Sequence, residues 1–184
     1  MEIKHIGQLL VNITTSLTII YQLRMATLYA IPNRKESGSK QDLSLAQIAA
    51  PISEDLVSVD RHISEQLASN VALIRKMGVY LLAAGGKKLR PMTLLLATKA
   101  LNYRGTDHIT LAAVIELIHT ATLIHDDVVD NSELRRGQKT GNEVWGNAAS
   151  VLVGDFIYSR SFEMMVTVNR MRVMEIMAST TNAI

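Results

Sequence analysis

Cysteine is absent from this chain. That excludes disulfide staples and thiolate metal sites, leaves oxygen ligands as the natural metal donors, and suits a reducing compartment such as the cytoplasm. Proline occurs three times, and long stretches free of Gly and Pro favour helices. An excess of one charge is also lacking. The formal net charge is +2, too small to give a general field for nucleic acid or a membrane surface, so specificity for an anion must come from local clusters. Nor is there an uninterrupted N-terminal apolar run. No Asp, Glu, Lys or Arg lies between Lys4 and Arg24, but Gln8, Asn12, Thr14, Thr15, Ser16, Thr18 and Gln22 break the stretch. A stable membrane span there is not expected, and the small-residue pattern of a cleaved secretory signal is missing. The stretch reads as an added helix or a non-native leader.

What remains is 48% hydrophobic and 20% charged over 184 residues, an ordinary composition for one domain with a real core. The polar run Pro32-Asn33-Arg34-Lys35-Glu36-Ser37-Gly38-Ser39-Lys40 reads as a linker, which divides an N-terminal extension, 1–40, from a domain, 41–184. Helices are expected from Ser53, with Leu56, Val59, Ile63 and Leu67 at helical spacing, and after a Ser69 cap. The second stops at Gly85-Gly86, and Pro91 suits the first turn of the next, which runs through Leu101. A long helix, apolar nearly all round and therefore buried, runs from about Asp107 to about Asp130. Residues 131–146 are polar with three glycines and read as a loop or broken segment. From Asn147 helical patterning continues toward Ile184. No strand alternation occurs, so the fold class is an all-α helical bundle.

Two kinds of charged cluster stand out. Asp126 and Asp130 close the apolar helix on one face, about 5.4 Å apart along its axis, at the negative end of its dipole. A cation would relieve that arrangement, and hard oxygen ligands select Mg²⁺, which takes one or two carboxylates plus phosphate oxygens. The plainer reading is a solvated acidic helix end paired with Arg135 and Arg136. Gly85-Gly86-Lys87-Lys88-Leu89-Arg90-Pro91 places three cations between a helix stop and a helix start, where backbone N–H groups already favour an anion. It reads as a diphosphate cradle or, alone, as a basic surface turn. His119 lies two turns before Asp126 on the same helix: a core histidine or a donor to phosphate. His125 reads as structural.

Together these segments resemble the trans-prenyl diphosphate synthase family. Gly85 to Pro91 looks like its glycine-lysine-basic-x-arginine-proline motif, and Glu116 to Asp130 like its first aspartate-rich motif with the preceding helix. Arg135-Arg136-Gly137 and Trp145-Gly146-Asn147 follow in order, and Gly154-Asp155-Phe156-Ile157-Tyr158 resembles the helix lining the chain-length tunnel. The likeness covers roughly residues 43–184 and is strongest to the long-chain branch that makes octaprenyl diphosphate for quinone side chains. It implies an isoprenoid-synthase bundle in which Asp126, Asp127 and Asp130 are the catalytic aspartates. Asp126 and Asp130 would be the Mg²⁺ ligands. It further implies that Lys87, Arg90, His119 and Arg136 bind isopentenyl diphosphate, that Arg135 contacts the allylic diphosphate, and that small Ala121 and Thr122 leave the product tunnel open. The reaction implied is loss of diphosphate from the allylic substrate, attack by the isopentenyl alkene and loss of a proton, in a cytoplasmic homodimer when full length. The family's second aspartate-rich motif is not found: after Asp130 the remaining aspartate is Asp155. The chain is thus expected to be an N-terminal fragment, incomplete at its C-terminus. Two rival readings are a non-catalytic subunit of a complete synthase and a terpene cyclase, against which the cradle for a second diphosphate argues.

Overall fold

The computed structural model describes residues 43–83 and 85–182. The N-terminal stretch and the linker of the sequence reading lie outside the described residues. Eight helices occur among the described residues: α1 Leu45–Ala49, α2 Ser53–Leu67, α3 Ala72–Ala83, α4 Leu89–Ala100, α5 Asp107–Val129, α6 Gly141–Trp145, α7 Asn147–Thr167 and α8 Met171–Thr181. A 3₁₀ turn, Ala50–Ile52, follows α1.

The chain divides into two compact units, the larger being Ile52–Asn169. Its centre is α5. Alanines and aliphatics alternate along that helix with Val114, Leu117, Ile118, Ala121 and Ile124 all buried. The i, i+3, i+4 spacing keeps these on one broad stripe. Around α5 pack α2, through Val59, Ile63 and Leu67; α4, through Met92, Leu94 and Leu95; and, most extensively, α7. Each large aliphatic so enclosed contributes about 1.5–3 kcal/mol relative to exposure. Helix α7 carries small, fully buried residues, including Ser150 and Ser161. At Gly154 a Cβ would land on the His125 imidazole, so glycine there is what lets the ring lie against α7. By length and composition α5 could cross a bilayer; here it is the core helix of a bundle.

One expectation is corrected and one refined. The segment after Asp130 is not merely a loop. It forms an antiparallel ribbon of β1 Leu134–Arg135 and β2 Gln138–Lys139, with Leu134 opposite Lys139 and Arg135 opposite Gln138, followed by α6. Two-residue strands are too short to show alternation, which is why periodicity missed them. Helical structure continues from Asn147 as expected, though not as one helix: α7 does not run on into α8. It ends at Thr167, Asn169 takes a left-handed φ of 51°, and Arg170 is extended before α8. Asparagine tolerates that conformation and closes a helix much as glycine does.

Among the described residues, the second unit comprises 43–51 and 170–182. Within it, Ser44 and Gln47 form a capping box at the start of α1. Helix α8 buries Val173, Ile176 and Met177 at i, i+3, i+4 spacing.

Candidate functional site

Helix α3 ends at Ala83. Gly85 turns left-handed at φ 59° and donates its N–H to the Leu82 carbonyl at 3.2 Å. Lys88, also left-handed at φ 47°, is the N-cap of α4 and accepts at its carbonyl from the Met92 N–H at 3.0 Å. Its ammonium is ion-paired with Asp60 of α2. That strained lysine thus ties the basic turn to α2, while Lys87 and Arg90 are exposed beside it.

The ribbon supplies the facing wall. Its turn residues, Arg136 at φ 54° and Gly137 at φ 80°, both take positive φ, the signature of a turn whose twist matches paired strands. The base is fastened by Thr140 Oγ1 donating to the Ser132 carbonyl at 2.6 Å and by Asn142 Nδ2 donating to the same oxygen at 3.1 Å. So held, adjacent arginines reach in different directions. Arg135 grips Asp127, with Nε 3.0 and 3.1 Å from the two carboxylate oxygens and a terminal nitrogen 2.7 Å from Oδ1. Those hydrogen bonds push the Arg135 guanidinium above its ordinary pKa. Arg136 donates to the carbonyl of Gly85. A Cβ at Gly86 would stand 2.9 Å from its guanidinium, so glycine at 86 leaves the path for this contact open.

Between these walls lies a cleft of about 310 Å³. Four sequence-predicted residues line it: His119, Asp127, Arg135 and Arg136, together with Gly85, Gly86 and Lys88 of the basic turn. Burial, together with the charges of Arg90, Arg136 and Arg135, pushes the His119 imidazole down to about 4. It is therefore neutral near pH 7, able to donate from one ring nitrogen and accept at the other.

The other predicted residues lie off the cleft wall. Asp126 and Asp130 are exposed at the C-terminal end of α5, whereas Asp127 is buried and committed to Arg135. Lys87 and Arg90 are not on the wall, though the Arg90 charge acts on both His119 and Glu116. Ala121 is buried in the α5 core and Thr122 is half-buried, its hydroxyl donating to the His119 carbonyl at 2.8 Å; neither lines the cleft. His125 packs on α7, with Nε2 3.3 Å from the Val151 carbonyl and 3.4 Å from Asp155 Oδ1.

Among the described residues no three His, Cys, Asp or Glu side chains converge as a metal cage. The donor set nonetheless fits magnesium. Asp126 and Asp130 offer two hard carboxylates on one exposed helix face, and this ion ordinarily takes one or two carboxylates with phosphate oxygens and water completing its shell.

Sequence reasoning assigned no role to Glu116, Asp60 or Tyr80, all of which line the cleft. Glu116 carried a signal: it is the one acidic residue between Asp107 and Asp126 in an otherwise apolar helix, a turn before His119. Asp60 and Tyr80 sit on amphipathic helices where a polar residue signals nothing by itself.

The profile of the polyprenyl synthetase family matches residues 71–184. Octaprenyl diphosphate synthase of Escherichia coli (strain K12) is 50% identical over 142 residues, covering 77% of this chain and 44% of that protein. Among solved structures, a decaprenyl diphosphate synthase from Rhodobacter capsulatus superimposes with a TM-score of 0.71 at 43% identity, over 75% of this chain and 43% of that one. A polyprenyl synthase from Caulobacter crescentus CB15, complexed with calcium and isoprenyl diphosphate, gives 0.72 at 42% identity, over 79% and 43%. The chain spans less than half the length of these relatives. A family profile covering most of the chain, half-identical relatives and the same helical arrangement agree: the chain belongs to the polyprenyl synthetase family.

Proposed function

We propose that this chain carries the diphosphate-binding portion of a magnesium-dependent prenyltransferase. The enzyme would add isopentenyl diphosphate units to an allylic diphosphate and make a long-chain, octaprenyl-class polyprenyl diphosphate for quinone side chains. One observation carries the reading: a basic turn, two ribbon arginines and a neutral histidine meet around a single cleft on the helix that ends in Asp126 and Asp130.

The chain's own residues divide the work. Arg136 and His119 on the cleft wall, with the exposed Lys87 and Arg90 of the adjoining basic segment, would hold the isopentenyl diphosphate so that its alkene faces the allylic carbon, which replaces a bimolecular encounter by a positioned one. Arg135 meets the allylic diphosphate, exchanging part of its grip on Asp127 for phosphate oxygens. Asp126 and Asp130 would hold magnesium, which when bound would supply Lewis-acid stabilisation of the departing diphosphate. The allylic C–O bond breaks with its electron pair leaving on diphosphate, the alkene carbon forms the new C–C bond, and a proton is lost to regenerate an alkene. Fixed positive charge around the leaving group stabilises the transition state because it needs no reorganisation as charge develops. We further propose a cytoplasmic homodimer; exposed Leu152 and Val166 on α7 offer apolar surface for such an interface.

Calorimetry with pyrophosphate and with isopentenyl diphosphate, each with and without Mg²⁺, tests this reading. Both ligands should bind, and Mg²⁺ should strengthen the binding of pyrophosphate. A chain that binds neither ligand under either condition would not hold diphosphate in this cleft.

A further inference from the structure

The cleft is nearly charge-balanced, and its carboxylates are not equivalent. Asp60 is bonded to Lys88, and Asp127 to Arg135. Glu116 lines the same wall, and its carboxylate makes no hydrogen bond or ion pair among the described residues. It nevertheless sits in the field of Arg90, Lys88 and Arg136.

We propose that Glu116 sets how tightly the cleft holds a diphosphate: its carboxylate offsets the attraction of the surrounding cations, so the anion is held weakly enough to leave, and its entry is linked to proton uptake. The proposal rests on the cleft being a diphosphate site. An enzyme that adds one unit after another must release the anion from this position every cycle, and a carboxylate beside the cations lowers the affinity without removing the geometry they provide.

The neighbours fix the direction of the linkage. Burial pushes the Glu116 carboxyl above its ordinary value, the charges of Arg90, Lys88 and Arg136 pull it back, and Asp60 pushes it further up. A diphosphate in the cleft would neutralise those cations and add negative charge of its own. Both effects raise the carboxyl and favour its protonated form. His119, on the same helix one turn away, shares Arg90 and Arg136 with Glu116, feels Arg135 in place of Lys88, and would change in the same direction. Tyr80 of α3 also lines the cleft, but its hydroxyl donates to the Lys139 carbonyl at 2.6 Å and is not directed to Glu116.

The test is binding of inorganic pyrophosphate with Mg²⁺ to the full chain, wild type against Glu116→Gln and Glu116→Ala, from pH 5 to pH 8. Comparing proteins at equal pH cancels the ligand's own titration. Both variants should bind on the order of fivefold tighter than wild type at pH 8, with the gap closing toward pH 5. Wild type should take up more protons on binding than either variant, counted from the heat in two buffers of different ionisation enthalpy. Equal or weaker binding by a helical variant at pH 8, or equal proton uptake, overturns the role of Glu116 while leaving the cleft a diphosphate site. Should neither substitution fold, the wild-type affinity decides: no rise from pH 8 to pH 5 beyond that given by the ligand's own protonation overturns the proposal. Failure of wild type and variants alike to bind pyrophosphate at any pH removes the cleft reading itself, and this proposal with it.

Discussion

The two ends of the proposed site are built on opposite principles. At the cleft, opposite charges are already joined: Lys88 to Asp60 and Arg135 to Asp127, with Arg136 bonded to a backbone carbonyl. Three positive-φ residues, Gly85, Lys88 and Arg136, shape the chain so that these bonds form. A few turns along α5, Asp126 and Asp130 stand exposed and make no ion pair among the described residues. The cleft is thus organised by the protein's own contacts, whereas the aspartate end consists of two carboxylates at the unfavourable end of a helix dipole. Breaking an ion pair at the first should lower stability. Perturbing the second should change affinity alone.

The sharpest break of that comparison is at the aspartates. Asp126→Ala combined with Asp130→Ala should lower Mg²⁺-dependent pyrophosphate affinity about 100-fold, equivalent to about 2.7 kcal/mol, while circular dichroism and the urea midpoint hardly move. Undiminished binding in the double variant would take these carboxylates out of the site.

Asp127 should behave in the opposite way although it adjoins Asp126 in sequence. It is only 6% exposed and grips Arg135. Asp127→Asn leaves a guanidinium without its anion. Because Arg135 is itself partly exposed, the loss of stability should be about 1–3 kcal/mol rather than the larger figure for a fully enclosed pair. A lowered urea midpoint checks it. An unchanged midpoint would mean that the ion pair contributes nothing to holding the ribbon in place.

Gly86→Ala separates position from charge. The new methyl group would meet the far end of the Arg136 side chain, which is flexible and moves cheaply. Stability should therefore stay nearly constant while pyrophosphate affinity falls about threefold through loss of a placed guanidinium. Wild-type affinity in the folded variant would show that Arg136 does not need its contact with Gly85.

The sequence made much of this legible, for identifiable reasons. Helix α5 could be bounded within a residue or so because its apolar residues are continuous and its ends are marked by Asp107 and the aspartates. The chain break at Gly85 and the placement of Pro91 in the first turn of α4 followed from backbone preferences that act locally. The burial of Asp127 beside an exposed Asp126 was not legible. Adjacent helical residues point about 100° apart, and which of the two is buried depends on where the ribbon returns, a tertiary fact. Likewise the ribbon is fixed by a left-handed Arg136, a conformation that side-chain chemistry does not advertise. Glu116 was visible as a lone acid in an apolar helix, but three cations from two other segments give it meaning only once the chain is folded.

A pH comparison distinguishes the cleft from the aspartate end without removing a charge. His119 titrates near 4 in the folded chain, below its ordinary value of about 6.5. Between those limits the unfolded chain binds more protons at this position than the folded one. Stability from His119 is therefore fully present above pH 6.5 and is lost as pH falls toward 4. Glu116 acts in the opposite sense: its carboxyl is raised in the fold, so its contribution declines as pH rises above the ordinary carboxylate value. The urea midpoint of wild type at pH 7 and pH 5, compared with that of His119→Gln, isolates the histidine, because all other groups are common to both proteins. Wild type should lose more stability between those values than the variant. Pyrophosphate should narrow the difference, since an anion beside Arg90, Arg135 and Arg136 offsets the charges that oppose an imidazolium. Parallel losses in the two proteins would mean that His119 is charged as readily in the fold as outside it, and the cleft would then lack the neutral donor assigned to it.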